Sequence, residues 1–405
     1  MIDLFPVSAR VEDGELALGG VATSALAEEF GTPLVVYCEE TLRTQARAYL
    51  AAAPGALVAY GTKAFANVAV LRVLAEEGLG ADVSTLGELA FARAAGIPDE
   101  RLVLHGNNKS DEELASGAAT LVVLDGPDEL DRAQAAGAER LLVRVTPGVE
   151  AETHAAIRTA HEGSKFGLTP DQARALVARD PEILGVHLHV GSQLRSLTEA
   201  RAAVEALAAF VESCDGWRPR VLDLGGGLGV RYLPGDEVPS VEEYVSAQLS
   251  GWTLEQPEQL VLEPGRSLVG RAGVTLYRVG AVKEAGGGVR YAAVDGGMSD
   301  NPRPQLYDAR LTALVAGRAD APADGTYAVS GKHCESGDVL AREVPLAAPR
   351  HGDLLAVPAT GAYTLAMSSN YNGVPRPAVV LVSGGEARLI RKRETTQDLL
   401  AGEVG

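Results

Sequence analysis

The chain has 405 residues, 46% hydrophobic and 22% charged, so it is long enough for two packed domains and too apolar for global disorder. Acidic residues outnumber basic ones by 54 to 36, and the net charge of -18 repels nucleic acid and anionic membrane surfaces. We therefore expect neither nucleic acid nor a membrane among its partners.

The three cysteines, Cys38, Cys214 and Cys334, lie far apart in the sequence. Their odd number and the lack of paired spacing argue against disulfides and predict no metal site. The first ten residues lack the basic start and apolar run of a secretory signal, and the longest uncharged stretch (354–375) contains proline and glycine. These features favour a cytoplasmic protein with reduced thiols.

A repeated pattern fills the chain from about residue 56 to about residue 263: a short apolar run, a polar or glycine-rich turn, and a helical segment with apolar residues at three- and four-residue spacing. Eight such runs alternating with helices predict a (β/α)8 TIM-like barrel, with a doubly wound open sheet as the alternative. The predicted strands are ALVAY (56–60), ADVS (81–84), LVLH (102–105), LVVL (121–124), LLVRV (141–145), LGVHLHV (184–190), VLDL (221–224) and LVLE (260–263).

The pattern changes after about residue 270. Residues 274–297 alternate apolar and polar side chains around a glycine turn, which is typical of β-hairpins, and residues 353–363 and 377–390 continue in the same way. We therefore predict a C-terminal all-β domain. The predicted parts are an N-terminal segment that joins the β-domain (1–33), the barrel (34–272) and the β-domain (273–405).

Polar residues and glycines follow the predicted barrel strands, where the catalytic groups of such barrels lie. Lys63 follows the apolar LVAY, and desolvation there would lower its pKa and suit it to a covalent bond with a carbonyl group. The turn GGGLG (225–229) can present bare backbone N–H groups to a phosphate. Taken singly, a solvated lysine and a tight turn are the simpler interpretations. Together with a carboxylate that can pair with a ring nitrogen, they indicate pyridoxal phosphate.

The order of the motifs resembles that of the fold-type III pyridoxal phosphate decarboxylases, and most closely the diaminopimelate decarboxylases. The resemblance covers roughly residues 33 to 395 and implies an alanine racemase-like fold, a barrel plus a β-domain. It rests on YGTKA, GLGADVSTLGEL, HGNNKS, HEGSKFG, HLHVGSQ, DLGGGLG, EPGR, VDGGMSD, CESGD, GAY and RPAVVLV.

The resemblance implies pyridoxal 5'-phosphate as the cofactor. Lys63 would bind it covalently and His189 would stack on its ring, whereas His187 would be a packed neighbour and Asp82 a positioning group. Glu263 would keep the pyridine nitrogen protonated, which favours decarboxylation over racemisation. The residues implied to bind the cofactor are Lys63, His189, Ser192, Gly225, Gly226, Gly227, Glu263, Gly265, Arg266 and Tyr363.

Cys334 stands in CESGD (334–338), directly before Glu335. The resemblance implies that Lys63 and Cys334 are the catalytic residues, with Cys334 as the acid that protonates the carbon left by carbon dioxide. Neighbouring negative charge would help to keep the thiol neutral and able to donate its proton. The simpler interpretation is a buried cysteine in a loop.

The resemblance implies decarboxylation of meso-diaminopimelate to L-lysine, in a homodimer with shared active sites. A relative acting on ornithine, lysine or carboxynorspermidine is the alternative, and a further one is a homologue that has lost catalysis and binds a partner. Glu335 and the extra arginine Arg303 favour diaminopimelate, and RPQLY (303–307) departs from the commoner RPALY at Gln305. The residues implied to bind substrate are Arg266, Arg303, Tyr307, Glu335 and Tyr363.

Overall fold

The computed structural model describes residues 1–146 and 164–404. The first three residues of the motif HEGSKFG (161–167) lie outside these ranges. By internal contacts the chain divides into a barrel unit (Arg43–Gly229 and Glu237–Leu268) and a β unit (Met1–Leu42, Val230–Asp236 and Val269–Gly405). The predicted boundaries at residues 33 and 272 stay a prediction. No helix in the described ranges is long and apolar enough to cross a membrane.

The N-terminal residues build part of the β unit. β1 and β2 form an antiparallel hairpin, and β2 also pairs with β3. The next strand, β4, begins one residue beyond the predicted boundary at 33 and joins the large sheet of the β unit. The elements are β1 (Arg10–Glu12), β2 (Glu15–Leu18), β3 (Val21–Ala22), α1 (Thr23–Phe30), β4 (Leu34–Cys38) and α2 (Glu39–Ala52).

Eight parallel strands close into a barrel in chain order, and this confirms the predicted (β/α)8 fold over the open sheet. Alternate apolar residues on these strands, such as Val103, Leu142 and Val261, point inward and form its buried core. The strands are β5 (Leu57–Gly61), β6 (Gly80–Val83), β7 (Leu102–Leu104), β8 (Leu121–Leu124), β9 (Leu141–Arg144), β10 (Gly185–His187), β11 (Val221–Asp223) and β12 (Gln259–Leu262).

Most of the barrel helices follow a residue whose side chain accepts from a free backbone N–H group. The Asn67 side chain accepts from the N–H of Ala69 at 2.9 Å, and Ser110 forms a reciprocal capping box with Glu113. The helices are α3 (Val68–Glu76), α4 (Leu86–Ala94), α5 (Asp111–Ser116), α6 (Glu129–Ala135), α7 (Pro170–Arg179), α8 (Leu197–Glu212), α9 (Val241–Gly251) and α10 (Arg266–Val269).

The sixth barrel strand is shorter than its apolar run predicts, because β10 ends at His187 and the run continues to Val190. The Leu188 N–H still donates to the Asp223 carbonyl at 2.9 Å, after which the chain leaves the barrel wall. Residues 189–192 therefore belong to the loop at the mouth of the barrel and not to its wall.

The β unit contains a mixed sheet in the order β17-β16-β14-β13-β4-β19-β20, and this confirms the predicted C-terminal β-domain. β4 lies between β13, to which it is antiparallel, and β19, to which it is parallel. The remaining elements are β13 (Gly273–Glu284), β14 (Arg290–Val294), α11 (Arg303–Tyr307), β15 (Leu314–Val315), β16 (Gly325–Ser330), β17 (Val339–Leu346), β18 (Leu354–Val357), β19 (Ala378–Ser383), β20 (Glu386–Arg391) and α12 (Thr396–Leu400).

Candidate active site

A charged or imidazole side chain lies within two residues of the end of each barrel strand, and seven of these eight side chains are buried. A parallel barrel brings all its strand ends to one mouth, so these polar side chains lie at the same end of the barrel. Only the first strand delivers an exposed member, Lys63. The buried members are Asp82, His105, Asp125, Arg144, His187, Asp223 and Glu263.

Lys63 lies in a single 3-10 turn (Thr62–Ala64) directly after β5. Its Nζ is 2.6 Å from Oδ2 of Asp82, and the lysine side chain is 48% exposed whereas that of Asp82 is 1% exposed. The lysine side chain is thus partly exposed, and its predicted partial desolvation stays a prediction. The amine is held by a buried carboxylate and is open to solvent and to a ligand.

Glu263 follows β12 and accepts hydrogen bonds from two histidines. Its Oε1 is 2.5 Å from Nε2 of His105, and its Oε2 is 3.2 Å from Nε2 of His187. Burial raises the pKa of the Glu263 carboxyl, but the two histidines outweigh burial and hold that pKa well below its usual range. The carboxylate is thus ionised at neutral pH and each Nε2 carries the donated proton.

His187 is neutral at physiological pH, because burial lowers its pKa to about 4 against the opposing effect of Glu263. Since its Nε2 donates to Glu263, its Nδ1 is the acceptor atom. This Nδ1 is buried and has no hydrogen-bond partner among the described residues. His187 therefore fixes the carboxylate without adding a charge.

Asp223, the last residue of β11, lies in the same buried cluster. One side-chain oxygen or nitrogen atom from each of Asp223, His105, His187 and Glu263 lies within 4.8 Å of the others. Burial raises the pKa of Asp223 well above its usual range, and the ionised Glu263 raises it further. The two carboxyl groups therefore carry one negative charge, on Glu263.

The turn Gly225–Gly227 follows Asp223 and has no room for side chains. A Cβ on Gly225 would lie 2.4 Å from the Leu188 carbonyl oxygen, and one on Gly226 would lie 2.2 Å from the Glu263 carbonyl oxygen. Gly225 and Gly227 also have positive φ angles of 62° and 124°. The turn thus presents bare backbone at the barrel mouth.

Four further predicted residues of the barrel unit lie close to this turn or to one another. The Arg266 guanidinium donates to Ser192 Oγ at 3.0 Å and is itself buried. The Gly226 N–H donates to His189 Nδ1 at 3.4 Å, and burial holds the pKa of His189 well below its usual range, with Lys63 adding to the effect. Gly265 lies close to the backbone of Gly61, because a Cβ added to Gly61 would be 3.4 Å from the Gly265 Cα.

Cys334 and Glu335 lie in the β unit, in a stretch that we call the cysteine loop (residues 331–338). Residues 334–337 are exposed, so the interpretation of Cys334 as a buried loop cysteine does not hold within this chain. The buried Asp338 anchors the loop: its Oδ1 accepts from Met298 N at 2.7 Å and its Oδ2 from His333 N at 2.9 Å.

The other predicted residues of the β unit lie on α11 and in the loop that follows β18. Arg303 is buried, and its guanidinium carbon lies 4.3 Å from the centre of the Tyr232 ring. Tyr307 Oη is 3.8 Å from the Met367 sulfur. Tyr363 has a left-handed backbone with φ of 56°, which costs about 1 kcal/mol or more in a residue with a Cβ.

Two members of the buried cluster, His105 and Asp223, are absent from the residues assigned from sequence. Both were inside motifs that the sequence analysis used, HGNNKS and DLGGGLG. Each is the polar residue that directly ends a buried apolar run. In a barrel of this kind, that position alone is a usable signal for the site.

Comparison with known proteins agrees with this geometry. Residues 39–270 match the sequence model of the family described as pyridoxal-dependent decarboxylase, pyridoxal binding domain. The chain is 46% identical to the diaminopimelate decarboxylase of Actinosynnema pretiosum subsp. auranticum, over 99% of this chain and 95% of the relative. It is 43% identical to that of Bacillus subtilis (strain 168), over 98% of this chain and 97% of the relative.

A solved structure is similar over the same length. The crystal structure of diaminopimelate decarboxylase from M. jannaschii in co-complex with L-lysine superposes with a TM-score of 0.90 at 32% identity, covering 98% of each chain. Together with the barrel, its buried carboxylate and its lysine, these matches show that the chain belongs to the diaminopimelate decarboxylase family of pyridoxal-dependent decarboxylases.

Proposed function

We propose that the chain decarboxylates meso-2,6-diaminopimelate to L-lysine and carbon dioxide, the last step of lysine biosynthesis, in the cytoplasm. The observation that carries the reaction type is the ionised Glu263, buried between His105 and His187. A fixed negative charge at this place stabilises a protonated ring nitrogen, and a protonated ring accepts the electrons that decarboxylation releases. The free state of all three cysteines is consistent with a reducing compartment.

The residues of the barrel mouth fit pyridoxal 5'-phosphate. When bound, this cofactor supplies an electron sink for the pair of electrons that the leaving carboxylate gives up. Lys63 would bind it covalently through an amine that is accessible and held by Asp82. The bare turn Gly225–Gly227 would accommodate the phosphate at its backbone N–H groups.

The remaining predicted cofactor contacts complete that binding. Ser192, Tyr363 and the backbone of Gly265 and Arg266 would add donors for the phosphate. His189 would stack on the ring as a neutral imidazole, which its lowered pKa supports. A neutral ring avoids repulsion with a protonated pyridine.

Cys334 and the five predicted substrate-binding residues would act on the substrate. Cys334 would hold the proton at Sγ and deliver it to the carbon that has lost its carboxylate. Glu335 would bind the distal ammonium group of the substrate. Arg303 would bind the distal carboxylate with its guanidinium fork, with Arg266, Tyr307 and Tyr363 adding donors.

We further propose that two copies of the chain form a homodimer in which the cysteine loop of each completes the site of the other. Two observations support this. Residues 334–337 are exposed although two of them are proposed to act in a reaction that must exclude water. Two large apolar side chains, Leu306 on α11 and Tyr371, are also 52% and 42% exposed.

The reaction is tested by measuring carbon dioxide release from meso-diaminopimelate, L-lysine and L-ornithine with protein saturated with cofactor. We expect turnover of diaminopimelate alone at a substantial rate. If L-ornithine or L-lysine is turned over with a higher kcat/KM, the substrate assignment is wrong and the alternative of another basic amino acid holds.

The shared site is tested by complementation between Lys63→Ala and Cys334→Ala. Each homodimer should be nearly inactive. After dissociation, mixing and reassociation, half of the dimers are mixed and carry one intact site of two, which restores roughly a quarter of the wild-type activity. If mixed dimers form, as native mass spectrometry would show, and activity does not return, each chain completes its own site.

A further inference from the structure

Two side chains of α9 donate hydrogen bonds to the backbone of the turn Gly225–Gly227 and of the residue before it. The Tyr244 hydroxyl donates to the Gly226 carbonyl at 3.0 Å, and the Gln248 amide donates to the Leu224 carbonyl at 3.1 Å. The two side chains belong to residues four positions apart on one face of the helix, and both are buried. The helix therefore holds two carbonyls at the glycine turn.

The first two peptide groups at the turn, Leu224–Gly225 and Gly225–Gly226, have further bonds. The Gly225 N–H donates to Asp223 Oδ1 at 2.9 Å, and the Gly225 carbonyl accepts from the Glu263 N–H at 2.8 Å. Both peptides are thus held by residues of the barrel strands or of the strand ends, independently of Tyr244.

The third peptide group, between Gly226 and Gly227, has a glycine on each side. A planar peptide can turn over by rotation of ψ in one residue and φ in the next, and it leaves its neighbours nearly in place. Side chains hinder this rotation, and neither glycine has one. Gly227 has a φ of 124°, which residues with a Cβ rarely adopt. The orientation of this peptide therefore depends on the hydrogen bond from the Tyr244 hydroxyl.

This hydrogen bond determines which way the Gly227 N–H points. In a trans peptide the carbonyl and the N–H point in opposite directions, so the Gly227 N–H faces away from Tyr244. Burial raises the pKa of Tyr244 above its usual range, so the hydroxyl keeps its proton and donates. A peptide turned over would present the Gly226 carbonyl oxygen in place of the N–H, and that oxygen repels an anion.

We propose that Tyr244 is a positioning residue that holds the Gly226–Gly227 peptide with its N–H toward the phosphate of the cofactor. The proposal rests on the proposed function, because it takes the turn Gly225–Gly227 to bind that phosphate. Tyr244 acts through the backbone and not by contact with the cofactor. The residue lies outside the sequence motifs from which the site was predicted.

The test compares Tyr244→Phe with wild type as full-length proteins. Phenylalanine keeps the ring and removes the hydroxyl alone. Thr120→Val is the matched control, because the buried Thr120 hydroxyl donates to the Gly117 carbonyl at 2.8 Å. Thr120 directly precedes β8, at the end of the barrel opposite its mouth. Each variant loses one buried hydroxyl, and circular dichroism melting shows whether each is folded.

The first measurement is the Kd of pyridoxal 5'-phosphate and of pyridoxal, which lacks the phosphate, from the visible absorbance of the bound ligand. We expect Tyr244→Phe to raise the Kd of pyridoxal 5'-phosphate about tenfold, the effect of one lost hydrogen bond to a charged group, and to leave that of pyridoxal within about twofold. Thr120→Val should change neither Kd. Equal weakening of both ligands in Tyr244→Phe, or no weakening of either, would overturn the proposal.

Gln248→Met gives a second comparison on the same helix. This variant removes the other bond from α9, but the peptide that Gln248 holds is also bonded through the Gly225 N–H to Asp223. We therefore expect the ratio of the two Kd values to stay as in wild type. A rise in that ratio as large as the one in Tyr244→Phe would show that the packing of α9 sets the turn, and the specific role of Tyr244 would be wrong.

The second measurement is phosphorus NMR of the cofactor-loaded proteins. The resonance of the bound phosphate should move in Tyr244→Phe and keep its wild-type position in Thr120→Val and Gln248→Met, and an unmoved resonance in Tyr244→Phe contradicts the proposal. Neither measurement depends on turnover. If wild type releases no carbon dioxide from diaminopimelate, the proposed reaction is wrong and the binding data still decide on Tyr244. If wild type binds pyridoxal as tightly as pyridoxal 5'-phosphate, the turn does not bind the phosphate and the role of Tyr244 is wrong with it.

Discussion

The barrel mouth and the cysteine loop hold their functional side chains in opposite ways. At the barrel mouth, His105, His187, Asp223 and Glu263 are buried and lie against one another, so each side chain is fixed by its neighbours. In the cysteine loop, residues 334–337 are exposed and the backbone is fixed instead, by Asp338.

This difference matches two kinds of chemical task. Stabilising charge on a cofactor ring needs fixed charges in a site of low dielectric, which burial provides. Delivering a proton and recognising one substrate need groups that meet a ligand, and an exposed loop does this only when a further surface covers it. Substitutions at the barrel mouth should therefore alter charge, and those in the β unit should alter placement and selectivity.

The largest effect should come from Lys63→Ala. Without the amine no covalent link to the cofactor forms, so turnover should fall by at least about 10³-fold. The side chain is half exposed, so the fold should be retained, as circular dichroism would show. Mass spectrometry after borohydride reduction should find the cofactor on Lys63 in wild type and no adduct in the variant.

Lys392, an exposed lysine near the C-terminus, gives the matched control. Lys392→Ala should keep both the adduct and the turnover. An adduct on any lysine other than Lys63 would remove the basis for the assignment.

The next largest effect should show which of two neighbouring carboxyl groups, Glu263 or Asp223, carries the negative charge. Glu263→Gln removes the ionised charge and keeps the shape, so kcat should fall by about 10²- to 10³-fold. Asp223→Asn replaces a group that is already protonated, because its pKa is raised by burial and by Glu263, so the loss should stay below about tenfold. Steady-state kinetics of both variants decide the matter: a larger loss in Asp223→Asn would mean that the charge resides on Asp223.

The barrel could be predicted from sequence because each strand is a short apolar run, and burial on both faces of a parallel strand produces such runs. The sheet that contains β4 could not be predicted in this way, because the apolar run LVVYC (34–38) does not indicate which sheet it joins. Its partners, β13 and β19, lie more than two hundred residues further along the chain.

The site was predicted unevenly for a related reason. Glycine turns and a strand-end lysine have local signals, so Lys63 and Gly225–Gly227 could be found. The exposure of Lys63 depends on side chains distant in sequence, and a polar residue such as His105 at a strand end also fits an ordinary turn. The contact between His105 and Glu263 joins residues 158 positions apart, which no local pattern reveals.

A selective effect should follow from Arg303→Ala. If the guanidinium pairs with the distal carboxylate, the variant should lose about 2–5 kcal/mol of transition-state stabilisation with diaminopimelate, because a buried charge is left without its partner. Binding of cadaverine (1,5-diaminopentane), which carries no carboxylate, should change much less.

Arg310→Ala, at an exposed arginine seven residues further on, is the control and should change neither quantity. The measurements are kcat/KM for diaminopimelate and the inhibition constant of cadaverine. Equal losses for both ligands in Arg303→Ala would show that Arg303 is structural.

The smallest effect concerns stability and a buried carboxyl of the β unit that accepts from a tyrosine and a backbone N–H group. Asp300 is buried, and its Oδ1 accepts from Tyr277 Oη at 3.2 Å and from Gly297 N at 3.1 Å. Burial raises its pKa from 3.8 to about 7, against the opposing effect of these two donors. The folded protein therefore keeps the proton over a pH range in which the unfolded chain has lost it.

This contribution to stability is fully present below about pH 4 and is lost as the pH rises to about 7, by roughly 2–4 kcal/mol in total. Asp300→Asn resembles the protonated form and does not titrate. The variant should match wild type at pH 4.5 and should have the higher melting temperature at pH 8, whereas the exposed Asp320→Asn should differ from wild type equally at both pH values. A constant difference between Asp300→Asn and wild type across this range would show that Asp300 is ionised in the folded protein.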